Sequence, residues 1–463
     1  MNLLRSRTRN VRDTFPARAA LASALLTAQL SWHSVNAWAA EQPFDVSSQP
    51  PSEDRFAIHG QFTYVEQQTN GFSSPYTGTN SLTPSSGRQT TDATLFLGAR
   101  LWQGAEIWVN PELDQGFGLS NTLGVAGFPS AEAYKVGSNQ PYFRLPRAFI
   151  RQTVNTGGEP ENVEGVANQL RGSQTLDRWV FTLGKFAVTD VFDTNQFAHD
   201  PRSDFLNWAS VDAGTFDYAA DAWGYTVGAA AERYLGSWTF RAGVFALSNV
   251  PNSEVLDHNF DQFQMVGEIE NRYRAFGQTG RVLLTVFNSR GRMGLYADAI
   301  TLARATGTTP DTANVRHYRG RLGVSLGLEQ PVTDDVDVFA RIGKAQGNVE
   351  TYEFTDIHRS IAIGASIKGV RWHRPQDAIG ISAINNKISG EAEEYLNLGG
   401  LGVLVGDGKL PHPGPEQILE TYYSFAALPW AGITLDYQWV KNPAYNTDRG
   451  PASIFAVRVH LQF

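Results

Sequence analysis

From Phe56 to the last residue, apolar and polar positions alternate along the chain. In RFAIHGQFTYVEQ, Phe56, Ile58, Phe62 and Tyr64 share one face, and His59, Gln61 and Thr63 share the other. TDATLFLGARL sets Ala93, Leu95, Leu97, Ala99 and Leu101 against Asp92, Thr94, Gly98 and Arg100. The pattern recurs in SWTFRAGVF, GRLGVSLGL, VDVFARIG, RSIAIGASIKG and GITLDYQWV. A period of two means strands with one apolar and one polar face. Such strands are read near 55–67, 90–101, 105–113, 143–153, 178–186, 222–233, 237–247, 262–273, 280–289, 317–329, 334–345, 357–369, 377–386, 416–428, 432–441 and 452–463. The count is sixteen, and the connectors alternate short (102–104, 235–236, 330–333) with long (114–142, 248–261, 387–415). The connector 154–177 is long where a short turn is due. It is either an excursion at the short-turn end or a hidden hairpin that would make the count eighteen.

The polar face carries arginines, acids, glycines and a few large aromatics, which suits a water-filled lumen better than the core of a sandwich. Hydrophobic residues make up 42% of the 463, with 12% aromatic and 18% charged, and no run is long enough for a membrane-spanning helix. A closed barrel is the remaining structure that satisfies every backbone polar group in a bilayer. The fold expected is therefore all-β, a transmembrane antiparallel β-barrel of sixteen strands, with short turns at the periplasmic end and long loops outside. Aromatics near strand ends (Tyr64, Trp179, Tyr234, Trp238, Trp430, Trp439) are expected in the interfacial girdles.

The N-terminus fits an exported protein. Arg5, Arg7, Arg9, Arg12 and Arg18 precede the apolar run Ala19–Leu30, and Ala37-Trp38-Ala39 has the small-x-small pattern of a cleavage site. Residues 1–39 read as a signal peptide, 40–54 as a mobile periplasmic leader, and 55–463 as the barrel. Loss of five arginines and Asp13 takes the net charge from −8 to −12, against a nucleic-acid partner. The chain has no cysteine, which excludes disulfides and thiolate metal sites; a closed ladder of hydrogen bonds needs neither. At the other end, Phe455, Val457, Val459, Leu461 and Phe463 share a face. A last amphipathic strand ending in Phe463 resembles the sorting signal read by the bacterial barrel-assembly machinery.

Sixteen strands leave an aqueous channel, and no globular plug precedes the first of them. Selectivity must then come from loops folded inward. The best candidate is 185–209, KFAVTDVFDTNQFAHDPRSDFLNWA, which mixes Asp190, Asp193, Asn195, His199, Asp200, Arg202 and Asn207 with Phe192, Phe197, Phe205 and Trp208. Carboxylate, amide and guanidinium groups suit sugar hydroxyls, and aromatic rings suit sugar C–H faces.

The chain resembles the carbohydrate-selective porins of Gram-negative outer membranes, the OprB family. The resemblance runs from about Phe56 to Phe463. Its most specific stretches are NPELDQGFGLSNTLGVAGFPSAEAYKVG (Asn110–Gly137) and LGKFAVTDVFDTNQFAHDPRSDFLNWA (Leu183–Ala209), with RMGLYADAITLARATGTTPD (Arg292–Asp311) and the closing segments. It implies a barrel with inward-folded constriction loops, passed by glucose and related small sugars without energy coupling or a cofactor. By matching positions it points to Glu106, Trp108, Asn110, Glu112 and Asp114 of the third strand and its exit. From the fourth strand it adds Arg147 and Arg151, whose parity opposes Ala148 and Ile150; Lys185 and the 190–208 loop complete the set. Outer-membrane lipids surround such a barrel, and a homotrimer is an assembly the resemblance leaves open.

The alternatives are a general or anion-selective porin and, more remotely, a barrel enzyme. His358-x-Ser360 has the spacing of an outer-membrane phospholipase pair but takes the lumen parity. Asp257-x-Asn259-x-Asp261 with Glu268 imitates a calcium loop, yet Gln262 stands where the required glycine should be. No metal is expected there. Tyr296–Ala305 has a helical look and is expected to serve loop packing.

Overall fold

In a bilayer a strand is viable only if both of its edges are paired, and the alternating chain meets that condition in one sheet. The computed structural model describes residues 53–133 and 137–463. The expected signal peptide and residues 40–52 of the expected leader lie outside the described residues. The strands are β1 (Phe56–Thr69), β2 (Gly87–Trp102), β3 (Ala105–Gly116), β4 (Ser138–Val163), β5 (Gly172–Phe186), β6 (Thr226–Leu235), β7 (Trp238–Ala246) and β8 (Phe263–Ala275). They continue as β9 (Gln278–Met293), β10 (His317–Pro331), β11 (Val336–Ala345), β12 (Arg359–Gly369), β13 (Arg374–Lys387), β14 (Glu416–Leu428), β15 (Ala431–Lys441) and β16 (Ala452–Gln462). Each pairs antiparallel with its sequence neighbours, and β1 pairs with β16, so the sheet closes without an edge. The sixteen-stranded barrel expected from the alternation is the observed fold.

Parity follows the sequence reading. Ile58, Leu95, Ile363 and Leu435 stand outward and exposed, while Thr63, Thr94, Ala362 and Asp436 are buried inside. On the inner face, glycines admit rings from the next strand: a Cβ on Gly98 would come within 2.5 Å of the Trp108 indole. One girdle assignment is corrected. Tyr234 has the lumen parity of Glu232, to which its hydroxyl donates at 2.8 Å, with Arg178 stacked 3.9 Å over its ring.

The connector 154–177 is strand rather than loop. β4 runs on to Val163 and β5 begins at Gly172, pairing through register shifts around Gly157. β3 pairing stops at Gln152 and β6 pairing at Arg178, so this hairpin overhangs the short-turn rim and adds no strand. Its tip folds back inward: Asn110 Nδ2 donates to Asn168 Oδ1 at 2.9 Å and the Leu170 N–H to Glu106 at 3.0 Å.

The long connectors share the opposite end. The longest, 187–225, contains the short helix α1 (Trp208–Val211), capped by the Asn207 side chain. α2 (Tyr296–Thr306) and α3 (Gly390–Asn397) pack on each other, Tyr296 against Tyr395 at 5.0 Å. The 187–225 loop is stitched across the lumen by charged groups of the wall. Glu420 accepts from the Leu206 and Asn207 N–H groups at 2.6 and 3.0 Å, and Glu268 from Asp193 N–H at 2.7 Å. Arg341 donates to the Ser210, Ala198 and Val211 carbonyls, and Arg458 to those of Pro201, Ser203 and Asp204. The loop's aromatics pack against neighbouring chain, Trp208 T-stacked on Phe354 of the segment between β11 and β12 (5.1 Å) and Phe216 tilted on the wall residue Phe287 (5.3 Å). Much of the inner face is thus sealed by folded chain, and many wall charges serve as anchors.

Candidate functional site

Among the described residues, two open volumes lie beside this loop. One, of 840 Å³, lies toward the short-turn end and is bordered by Glu106, Arg151, Asn168, Arg178, Glu232 and Tyr234, among others. The second, of 260 Å³, lies between loops and wall, bordered by Phe128, Arg147, Arg202, Trp208, Trp223 and Tyr225, among others. Asp190 and His199 border both, so these side chains stand between the two volumes.

A β-bulge shapes the wall here. Asn110 pairs with Arg147 but Glu112 with Arg144, so β4 carries one residue more than β3 between these rungs. Arg144 and Arg147 therefore both face inward despite opposite parity. Arg144 donates to Glu112 at 2.6 Å and also to Asp114. Its guanidinium lies 5.2 Å from the Tyr225 ring centre, with Arg147 at 5.0 Å. Arg147 forks onto Asp190 through Nε and Nη2 at 2.7 and 2.6 Å. Arg202 reaches Glu132 at 2.8 Å, Asp92 at 3.4 Å and Glu112 at 3.5 Å.

These charges hold one another in place. Burial disfavours the Asp190 carboxylate, yet Arg147 overrides it and keeps the carboxyl below its usual range. Asp200 is likewise held down against burial by Arg202. Burial pushes the His199 imidazolium down, but Asp212, 3.3 Å away, outweighs it and lifts the group to about 9. Burial raises the Tyr225 phenol to about 12, leaving it a neutral donor at physiological pH.

The residues expected from sequence fall into two sets. Glu106, Arg151, Asp190 and His199 border the larger volume, and Arg147, Asp190, His199, Asp200, Arg202 and Trp208 the smaller. The others stand back from both. Trp108 is fully buried over Gly98, with His59 stacked at 6.5 Å. Asn110 holds the hairpin tip, and Glu112 and Asp114 support Arg144 from behind. Lys185 takes the outward parity of Phe181 and Leu183 and reaches Asp221 at 3.0 Å. Asp193 meets Arg341 at 3.5 Å, Asn195 accepts from Phe197 and Ala198 N–H groups, and Asn207 caps α1. Phe463 lies outside, its ring over Gly60.

Sequence reading missed Arg144, Phe128, Trp223 and Tyr225. Pro146 was the available signal for Arg144, because a proline inside a strand marks a bulge. Phe128 lies on a long loop, where no periodicity assigns a direction; Trp223 and Tyr225, expected at the start of a strand 222–233, precede β6, which begins at Thr226. The calcium-like spacing is not assembled: Asp257 accepts from the Asn259 and Gln262 N–H groups, and Glu268 is bound to Arg241 on the inner wall. His358 Nδ1 accepts from Ser389 N–H at 3.0 Å, while Ser360 donates to Asn386 at 2.8 Å.

The arrangement is two polar volumes edged by ion pairs and aromatic faces inside a closed barrel. The family model described as "Carbohydrate-selective porin, OprB family" matches residues 80–463. No curated protein matches the chain. Among solved structures, Pseudomonas putida OprB in its high-pH structure is 15% identical, with 88% of this chain and 94% of that one covered and a TM-score of 0.66. The DcaP channel of Acinetobacter baumannii is 11% identical over 88% of this chain and 97% of that one, with a TM-score of 0.49. With the family matched along most of its length and its sixteen strands closed into one barrel, the chain belongs to the carbohydrate-selective porins of the OprB family, channel proteins of the outer membrane.

Proposed function

We propose that this porin passes glucose-type monosaccharides passively, and that selection occurs at the side chains that border both volumes. The observation that carries this is the shared border of Asp190 and His199, flanked by Arg147, Arg202 and the rings of Trp208, Trp223 and Tyr225. Fixed donors and acceptors exchange hydrogen bonds with sugar hydroxyls, while ring faces accept the C–H side. The Arg147 fork employs Nε and Nη2, which leaves Nη1 for a passing hydroxyl. Channel function needs a polar aperture of suitable size and no reacting group; we assign no catalysis. Residues 1–39 act as the export signal, 40–54 as a leader, and Phe463 as the contact for the assembly machinery.

Single-channel conductance in a planar bilayer, titrated with glucose, tests the reading. A stable pore that glucose blocks supports it. A pore blocked by phosphate or chloride exchange but indifferent to glucose makes the channel anion-selective and ends the sugar reading.

A further inference from the structure

The outer wall carries a row of cations that the channel does not use. Lys344 of β11 pairs directly with Arg359 of β12, and Arg359 directly with Lys387 of β13. All three side chains are exposed. They share the outward parity of Ile342 and Ile361, which are 52% and 49% exposed two residues nearer the midplane. The row therefore lies where the apolar band ends, on the side of the long loops, which is the external side of the barrel.

Three like charges on directly opposed positions of adjacent strands repel one another, and no ion pair among the described residues neutralises them. Lys368, on the inner parity of the same β12, meets Asp337 at 3.7 Å; none of the three outward cations forms such a pair. Glu393 of α3 lies within the field of Lys387 without forming an ion pair with it. Lipid-facing cations are tolerated at the interface and not at depth, so the row stands at headgroup level. A guanidinium between two ammonium groups, spaced by the ladder at about 5 Å per strand, presents convergent donors to phosphate oxygens.

We infer that Lys344, Arg359 and Lys387 form a binding site for the phosphate groups of a phosphorylated, multiply acylated lipid of the outer leaflet, its acyl chains lying over Ile342 and Ile361. The site depends on the membrane placement of the barrel and not on which solute it passes.

Purified protein in phosphatidylcholine nanodiscs is titrated with bisphosphorylated lipid A and, separately, with its dephosphorylated form, and native mass spectrometry reads the lipid retained per barrel. The expected result is retention of the bisphosphorylated lipid, about tenfold weaker in K344Q/R359Q/K387Q, as when a charge-assisted contact is lost. The dephosphorylated form should not distinguish the two proteins. Equal retention of bisphosphorylated lipid by both proteins overturns the assignment. Displacement of the lipid by millimolar inorganic phosphate also overturns it, because the row would then be a free-anion site. If the triple variant does not assemble, Arg359→Gln alone interrupts the row, and a loss of about threefold is expected. Glucose block of the pore should be the same in every variant, which separates this test from that of the sugar reading.

Discussion

The Arg147 guanidinium and the Asp190 carboxylate meet in a two-bond fork that ties the barrel wall to the inward loop beside the smaller open volume. Asp190 Oδ2 also accepts the Ala187 N–H at 3.0 Å, so the carboxylate fixes both the start of the loop and the orientation of the arginine. Arg147→Ala removes the fork and the free Nη1 together. Charge-assisted hydrogen bonds are each worth about 1.5–3 kcal/mol, so the half-blocking glucose concentration should rise roughly tenfold or more. Arg147→Lys, which keeps the charge but not the fork, should recover only part of the block. An unchanged glucose titration for Arg147→Ala would remove this residue from the sugar path.

Asp217 ties the same loop to the segment between β11 and β12. Its carboxylate accepts from the Tyr352, Glu353 and Phe354 N–H groups at 2.8, 3.1 and 3.1 Å and from Arg321 at 2.9 Å. Both charged side chains are wholly buried. Asp217→Asn turns an amide against backbone donors and strands the arginine, and breaking a buried pair costs about 3–5 kcal/mol. The barrel should unfold at lower temperature on heat-modifiable gels. The loop, released on one side, should give a larger and noisier conductance with poorer sugar discrimination. A quiet pore of unchanged conductance would mean that the loop holds its place without Asp217.

His199 gives the path a pH dependence. Its folded value of about 9 exceeds the ordinary histidine value of 6.5 because Asp212 outweighs burial; Arg341, which opposes the charge, and Asp193, which favours it, also act on the ring. A raised value stabilises the fold fully below about 6.5, and that contribution is lost as the pH climbs through about 9. The folded protein itself loses this positive charge, between the two volumes, only as the pH climbs through about 9. Reversal potentials across a salt gradient should therefore shift toward cation selectivity as the pH rises through about 9. His199→Gln should abolish the shift; if the shift persists in that variant, another group titrates.

The parts of this structure that face lipid were legible in the sequence, and the parts that face folded chain were not. Alternation around Leu95, Ile363 and Leu435 is enforced because one side of each strand meets hydrocarbon and the other does not. The overhang of β4 and β5 meets water on both sides, so residues 154–163 carry no alternation, and a strand passed for a loop. The alternation of VDVFARIG puts Arg341 on the inner face but does not distinguish a wall charge that borders water from one that grips a backbone. That distinction depends on the path of the 187–225 loop, set by contacts with residues over a hundred positions away, such as Glu420 and Arg458. Tyr225, beside both Arg144 and Arg147, became visible only once that path was known.

Phe463 closes the sheet. Its N–H donates to the Gly60 carbonyl at 3.0 Å, its carbonyl accepts from the Gly60 N–H at 2.8 Å, and its ring covers the space that a side chain at residue 60 would fill. Deleting Phe463 removes the last rung between β16 and β1 and exposes the glycine backbone to lipid, where unsatisfied polar groups cost several kcal/mol each. Phe463→Ala keeps the rung and loses only the ring. The deletion should sharply lower the yield of heat-modifiable barrel in the outer membrane. Phe463→Ala should fall between it and the natural chain if the rung provides part of the closure. If assembly reads the terminal ring alone, Phe463→Ala should be as defective as the deletion, while Phe463→Tyr restores the yield. Wild-type yields from the deletion would mean that the barrel closes on the remaining β1–β16 ladder without its terminal residue.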